Sequence, residues 1–262
     1  MRIIVTIKQV PDTTNVKIDP RTGTLIREGV PSIINPEDKN ALEAAFQLRE
    51  RYGGEVIAIS MGPPQAEDAM REALALGADQ AVLLTDRALA GADTWATAYT
   101  LGTAINKIGN YDLILAGRQA IDGDTAQVGP QLAEFLHLPQ VTYVRELDVI
   151  DGKKVVAKRT LEDGFEEIEA PLPALLTITK EANKPRYPHA AAIMNAYRLQ
   201  TVTTWNAEAL GADPQSIGLE GSPTQVKRSF SPEPRGAGEV LTGPPSEQVK
   251  SLVGRLRAKN IV

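Results

Sequence analysis

The chain reads as a doubly wound, mostly parallel α/β sheet, and three observations carry that reading. Short β-branched apolar runs alternate with helix-patterned segments from the N-terminus to about residue 140. That alternation marks parallel strands joined by crossover helices. Four of the runs leave through polar exits: Lys8 to Asp12, Met61 to Pro64, Thr85 to Thr94 and Arg118 to Asp124. In an open parallel sheet such exits share one edge, where ligands bind. The third observation is one exit in particular. LILAGRQAIDGDTAQVGP, Leu113 to Pro130, passes from an apolar strand through a polar, Gly-containing loop toward a helix.

Arg2 to Ile7 (RIIVTI) is a buried strand by its β-branched run. It exits into Lys8-Gln9-Val10-Pro11-Asp12, where Pro11 ends the strand because it has no N–H. Val16 to Gly29 holds two alternating runs around Gly23 and predicts a hairpin excursion. Asn35-Pro36-Glu37-Asp38 is a helix start: Asn at the cap, Pro in the first turn, acids against the positive dipole end. Leu42, Ala45, Phe46 and Leu48 give that helix an apolar stripe to about Tyr52.

Glu55 to Met61 is a second buried strand, leaving through Gly62-Pro63-Pro64 into a helix from Gln65 to Leu76. Gly77 follows, where a helix C-terminus favours a left-handed residue. Ala81 to Thr85 is the third strand, Gly91-Ala92-Asp93-Thr94 opens a helix to Ile108, and Tyr111 to Gly117 is the fourth strand.

Beyond that strand, Arg118 and Gln119 supply a cation and an amide, and Asp122 and Asp124 flank Gly123. Asp124 or Thr125 can cap the next helix, and a helix start offers N–H groups and dipole to a phosphate. Two readings share these residues, a nucleotide phosphate cradle and an ordinary capped strand-to-helix loop. Pro130 either bends that helix or begins it, since a deep proline removes an intrahelical bond.

After Leu138-Pro139 the pattern changes. Val141 to Ile150, Lys154 to Thr160 and Ile168 to Thr179 read as successive strands joined by Asp-Gly turns, predicting an antiparallel addition to the same sheet. Lys180 to Arg198 is a basic loop running into a short helix. Beyond Leu199 the chain thins, and Leu219 to Pro245 is rich in Gly, Pro, Ser and Thr. Ser246 to Ala258 is a short amphipathic helix with Val249, Leu252, Val253 and Leu256 on one face. We therefore divide the chain into a nucleotide-binding domain, 1–199, and an arm, 200–262, that docks on a partner. A tail folded back on its own domain is the other reading.

Composition narrows the chemistry. The 262 residues are 42% apolar, enough for a sizeable core. Net charge is −5, from 33 acidic and 28 basic residues, which is no nucleic-acid footprint. There is no cysteine, so disulfides, thiol nucleophiles and iron–sulfur ligation are excluded within this sequence, in keeping with a cytoplasmic setting. No apolar run reaches membrane-spanning length, and MRIIVTIKQV reads as a strand in place of a signal peptide. No GxxxxGK[ST], GxGxxG or GxSxG is present. His137 and His189 lack ligand-spaced neighbours, so no metal site is expected. Such a chain holds something without offering a nucleophile; a redox cofactor would bring its own chemistry.

Four segments resemble the beta (small) subunit of the electron transfer flavoproteins: VTIKQVPD, NPEDKNALEAA, LAGRQAIDGDTAQVGP, and AKRTLEDGFEEIEAPLPALLT from Ala157 to Thr177. The resemblance runs from Arg2 to about Val202. It implies a Rossmann-like domain paired with an alpha subunit that carries an electron-transferring FAD. It also implies a nucleotide in this chain: AMP in ordinary members, or a second FAD that takes a hydride from NADH in electron-bifurcating members. VPDT, INPEDKNALEAA and SPTQVKRSF resemble the bifurcating kind. Carried over, the nucleotide contacts are Thr6, Lys8, Val10, the stretch Asn35 to Asp38, Met61, Thr94, Arg118, Gln119, Asp122, Gly123, Asp124, Thr125, Gln127, Val128 and Gly129. KPRYPHAAAIM resembles the segment that docks redox partners, implying an acyl-CoA dehydrogenase beside a low-potential acceptor such as ferredoxin or flavodoxin. The small Ala190 stands where some members carry a large apolar anchor. Other classes are a plain nucleotide-binding module and an adenylating enzyme. The first leaves the Ala157 to Thr177 segment unexplained, and the second lacks a Ser/Gly-rich loop after Ile7.

Overall fold

The computed structural model describes residues 1–12, 31–227, 236 and 238–262. The expected hairpin at Val16 to Gly29 lies outside them. The chain forms two compact units, Met1–Val226 and Lys227–Val262.

In the first unit β1 (Arg2–Thr6) is followed by β2 (Gln9–Pro11), β3 (Ser32–Ile34) and α1 (Pro36–Tyr52). Next come β4 (Glu55–Met61), α2 (Glu67–Leu76), β5 (Gln80–Leu84), α3 (Thr94–Ile108), β6 (Leu113–Gly117) and α4 (Val128–Phe135). Then follow β7 (Gln140–Ile150), β8 (Lys154–Thr160), β9 (Phe165–Pro171), β10 (Ala174–Ile178), α5 (Ala190–Arg198), β11 (Val202–Trp205) and α6 (Ala207–Leu210).

The nine-stranded sheet has the order β11-β5-β4-β1-β6-β10-β7-β8-β9. From β11 to β7 every pair is parallel, and β8 and β9 continue antiparallel. Alternation along the strands serves two layers. Ile3 and Val5 of β1 join α1 and α2 side chains such as Leu42, Phe46 and Met70 on one face. Ile4 turns to the other face, with Leu101 and Ile105 of α3 and Leu132 of α4.

Three expectations are corrected. Ile168 to Thr179 is not one antiparallel strand. It breaks at Pro171-Leu172-Pro173, where two residues lack an N–H, and the fully buried ALLTI becomes β10, parallel and inserted between β6 and β7. Lys8 to Asp12 is not all loop, because Val10 pairs with Ile33 in a separate two-stranded sheet. The chain beyond residue 199 does not thin at once: β11 pairs with β5, and the first unit runs to Val226, past the boundary expected at 199.

In the second unit α7 (Pro245–Ala258) leaves Val249 and Leu252 exposed, and Arg255 pairs with Glu239.

Candidate functional site

The parallel strands bring their C-terminal ends to one edge. β1 lies between β4 and β6, so the chain leaves it toward both sides of the sheet, and a crevice is expected beyond β1 and β6. Thr6 ends β1, Met61 ends β4 and Gly117 ends β6.

The N-terminus of α1 sits directly against these exits. Asp38 accepts the Lys8 N–H at 2.7 Å with Oδ2 and the Gly117 N–H at 3.1 Å with Oδ1. One carboxylate thus staples the ends of β1 and β6. The approach is close: a Cβ on Gly117 would lie 2.2 Å from Asp38 Oδ1. Burial pushes the Asp38 carboxyl up to about 7, against the pull of these donors. Glu37 accepts from the Gln119 N–H at 3.1 Å and pairs with Arg118 at 3.2 Å. Asn35 occupies the cap position, yet its side chain makes no cap bond. Its amide donates to Gln119 O at 2.9 Å, and its Oδ1 accepts the Ile121 N–H at 3.1 Å. Both its amide hydrogen-bonding functions reach the β6 exit loop, and its side chain also bonds Asp38.

That loop is tied in three further places. Lys8 Nζ meets Asp122 Oδ1 at 2.7 Å. Gln119 Nε2 donates to Asp124 Oδ1 at 2.8 Å. The Thr94 hydroxyl, on the first residue of α3, donates to Gln127 Oε1 at 3.1 Å. Helix α4 begins at Val128, and its cap residue Gln127 makes no side-chain cap bond. The expectation that Asp124 or Thr125 caps it is therefore corrected. Asp124 (φ 51°) and Ala126 (φ 53°) both lie in the left-handed region, which carries the chain past a capping geometry. Non-glycine residues held there concentrate at ligand clamps. Pro130 is the third helical residue, within the first turn, where its missing N–H removes no intrahelical bond.

Among the described residues, no acceptor within the chain meets the N–H groups of Ala126, Val128 or Gly129. Gly129 packs so closely that a Cβ would lie 2.6 Å from Thr177. These free amides and the α4 start form a donor set suited to phosphate oxygens, beside the Lys8 and Arg118 cations, which are paired with Asp122 and Glu37. The residues present fit the phosphates of a nucleotide.

The sequence-predicted residues therefore fall into two layers. Lys8, Met61, Thr94, Arg118, Gln119, Asp122, Gly123, Asp124, Thr125, Gln127 and Val128 lie on the edge, partly or well exposed. Thr6, Val10, Asn35, Asp38 and Gly129 are buried behind it. Val10 is 1% exposed and has no side-chain surface to offer. Glu37 fell within the expected Asn35 to Asp38 stretch without a role of its own, and Asp93 was read only as part of a helix opening. The acids of the first turn of α1 were the available signal for Glu37. Asp93 caps α3 by accepting the Ala96 N–H at 3.0 Å.

A separate cavity of about 400 Å³ lies between α1 and the β7–β9 strands, where Arg51 pairs with Asp148 at its rim. It touches none of the edge residues.

Comparison with known proteins gives the following. A family model described as the electron transfer flavoprotein domain matches residues 22–210. A caffeyl-CoA reductase-Etf complex subunit, CarD, of Acetobacterium woodii is 57% identical, with all of both chains covered. An electron transfer flavoprotein subunit beta of Thermoanaerobacterium thermosaccharolyticum is 58% identical, again over the whole of both chains. An acryloyl-CoA reductase electron transfer subunit gamma of Anaerotignum propionicum is 46% identical over the whole of both.

Proposed function

The chain belongs to the electron transfer flavoprotein family as a beta subunit, and from that premise we propose that it holds FAD at the strand-exit edge and serves an electron-bifurcating heterodimer. FAD there would supply hydride acceptance from NADH and onward transfer of single electrons. One path leads to a low-potential acceptor of the ferredoxin or flavodoxin class. The other leads through the alpha-subunit FAD to an acyl-CoA dehydrogenase. AMP is the alternative occupant, since it presents a phosphate to the same donors.

The single observation that carries nucleotide binding is the 118–129 loop, with its left-handed residues and free amides ahead of α4. Bifurcation is supported by the VPDT, INPEDKNALEAA and SPTQVKRSF segments. Two relatives named for caffeyl-CoA and acryloyl-CoA reductases support an enoyl-type CoA partner.

The chain's own residues bind and orient. The amides of Ala126 and Val128, at the head of α4, face the phosphates, with Thr94 and Gln127 bracketing them. Lys8 and Arg118 bring positive charge to the edge. Asp38, Asn35 and Glu37 hold the two exits at a fixed separation, so the donors are preorganised. Electrostatic contacts of this kind are strongest when no reorganisation accompanies binding.

Beta subunits of this family pair with an alpha subunit. We assign that pairing to the C-terminal arm, whose α7 presents an uncovered apolar face. We assign docking of the dehydrogenase to residues 184–199. There Arg186 grips Glu43 at 2.7 Å and Glu50 at 2.5 Å, and Tyr187, Met194, Tyr197 and Leu199 stand exposed.

The test is flavin count per heterodimer combined with NADH titration. Two flavins, one of them bleached directly by NADH, are the expected result. One flavin, with AMP released on denaturation, would refute the bifurcating reading and leave the family assignment intact.

A further inference from the structure

The SPTQ segment, Ser222 to Gln225, has no part in the site described so far, yet its bonds lead straight to it. Asp93 uses Oδ1 to cap α3. Its Oδ2 accepts both the Thr224 N–H at 2.9 Å and the Thr224 hydroxyl at 2.7 Å. Its own N–H donates to Ser222 Oγ at 2.8 Å, and that hydroxyl donates to Gly218 O at 2.7 Å. The next residue, Thr94, donates to Gln127 at the head of α4. Hydrogen bonds on either side of the Asp93–Thr94 peptide therefore link Gly218 to the 118–129 loop.

A helix cap needs one of these bonds; the others bind the root of the C-terminal arm. Among the described residues, the root is otherwise held by the Gly221 N–H to Ile217 O at 2.9 Å and the Ser222 N–H to Leu219 O at 3.3 Å. Ser222 is buried, but residues 223–226 are exposed, Val226 to 80%. The two Thr224 bonds are charge-assisted: burial raises the Asp93 carboxyl, the Ala96 and Thr224 donors outweigh it, and the group is held below the usual carboxylate range.

We propose that Asp93 is a positioning residue that couples the nucleotide site to the root of the C-terminal arm, a proposal that rests on nucleotide binding at this edge. With Thr224 and Ser222 seated on Asp93, the first turn of α3 is fixed and Thr94 is held against Gln127. Release of the root frees that turn and weakens the nucleotide. By linkage, nucleotide must tighten the root by the same factor.

The test uses the full chain in complex with its alpha subunit, stripped of nucleotide and titrated with AMP and with FAD. Thr224→Val removes the hydroxyl at an exposed position where folding is not at stake, Thr224→Ser restores it, and Asp93→Asn leaves one neutral acceptor where the carboxylate has two. Loss of a charge-assisted hydrogen bond predicts about tenfold weaker nucleotide binding in T224V, recovered in T224S. In the wild type, AMP should slow amide hydrogen exchange at 218–226 as well as at 118–129, and T224V should abolish the effect at 218–226 only. Wild-type affinity in T224V and D93N, with exchange at 218–226 indifferent to AMP while 118–129 is protected, would overturn the coupling and leave nucleotide binding standing. Absence of AMP and FAD binding in the wild type would overturn both.

Discussion

Asp38 accepts two backbone N–H groups from two different strands, and it does so inside the protein, 6% exposed. That placement has a pH signature. Its carboxyl is raised by burial from 3.8 to about 7, so between those values the folded chain holds a proton that the unfolded chain has lost. Stability therefore falls as pH rises from about 4 toward 7, with a slope of at most about 1.4 kcal/mol per pH unit from this group. Asp38→Asn should flatten that part of the curve, measured by urea unfolding at several pH values. An unchanged slope would show the carboxylate to be fully ionised and held by Lys8 and Gly117. The acidic first turn of α1 was visible in the sequence as a complement to the helix dipole. Its reach to β1 and β6 was not, because Lys8 and Gly117 lie 30 and 79 positions from Asp38 and meet it only in the folded sheet. Asp124 shows the opposite limit. Its type and position promised a cap, and its left-handed backbone sends it to Gln119 instead.

Helices α3 and α4 carry Thr94 and Gln127 at their starts, so their packing sets the width of the site. They approach closely at Gly102, where a Cβ would lie 2.2 Å from the Phe135 ring, itself edge-on to Tyr99 at 5.4 Å. Gly102→Val should lower stability by about 1–3 kcal/mol through overpacking. That exceeds the few tenths of a kcal/mol by which valine is the better helix former. The denaturation midpoint reads it, and a midpoint at or above wild type would disprove the close packing. Most elements to β6 were legible because each carries its own period: β-branched runs for buried strands, apolar stripes for α1 to α3, Asn-Pro and Asp-Thr at helix starts. β10 was not. Its ALLTI run reads the same on a parallel as on an antiparallel strand, and only the slot between β6 and β7 decides the direction.

At the scale of the whole molecule, the contacts divide the chain after Val226, beyond the point where composition turns to Gly, Pro and Ser. A chain ending at Val226 keeps β11, α6 and the Ser222–Thr224 clamp. It should melt within a degree or two of the full chain yet fail to hold the alpha subunit on size exclusion. Recovery of an intact heterodimer would remove α7 from the interface. The sequence by itself determined the α/β class, the order of the first strands and helices and, through four segments, the family. Those are written in local periodicity, in turn chemistry and in residue types, which need no fold to be read. Only the tertiary structure decided which of the candidate residues lie exposed on the strand-exit edge and which are buried behind it. It also set the place of β10 and tied Thr224 to Asp93, 131 positions away. Burial and long-range hydrogen bonds are properties of neighbours in space, and the sequence names those neighbours only once the sheet has closed.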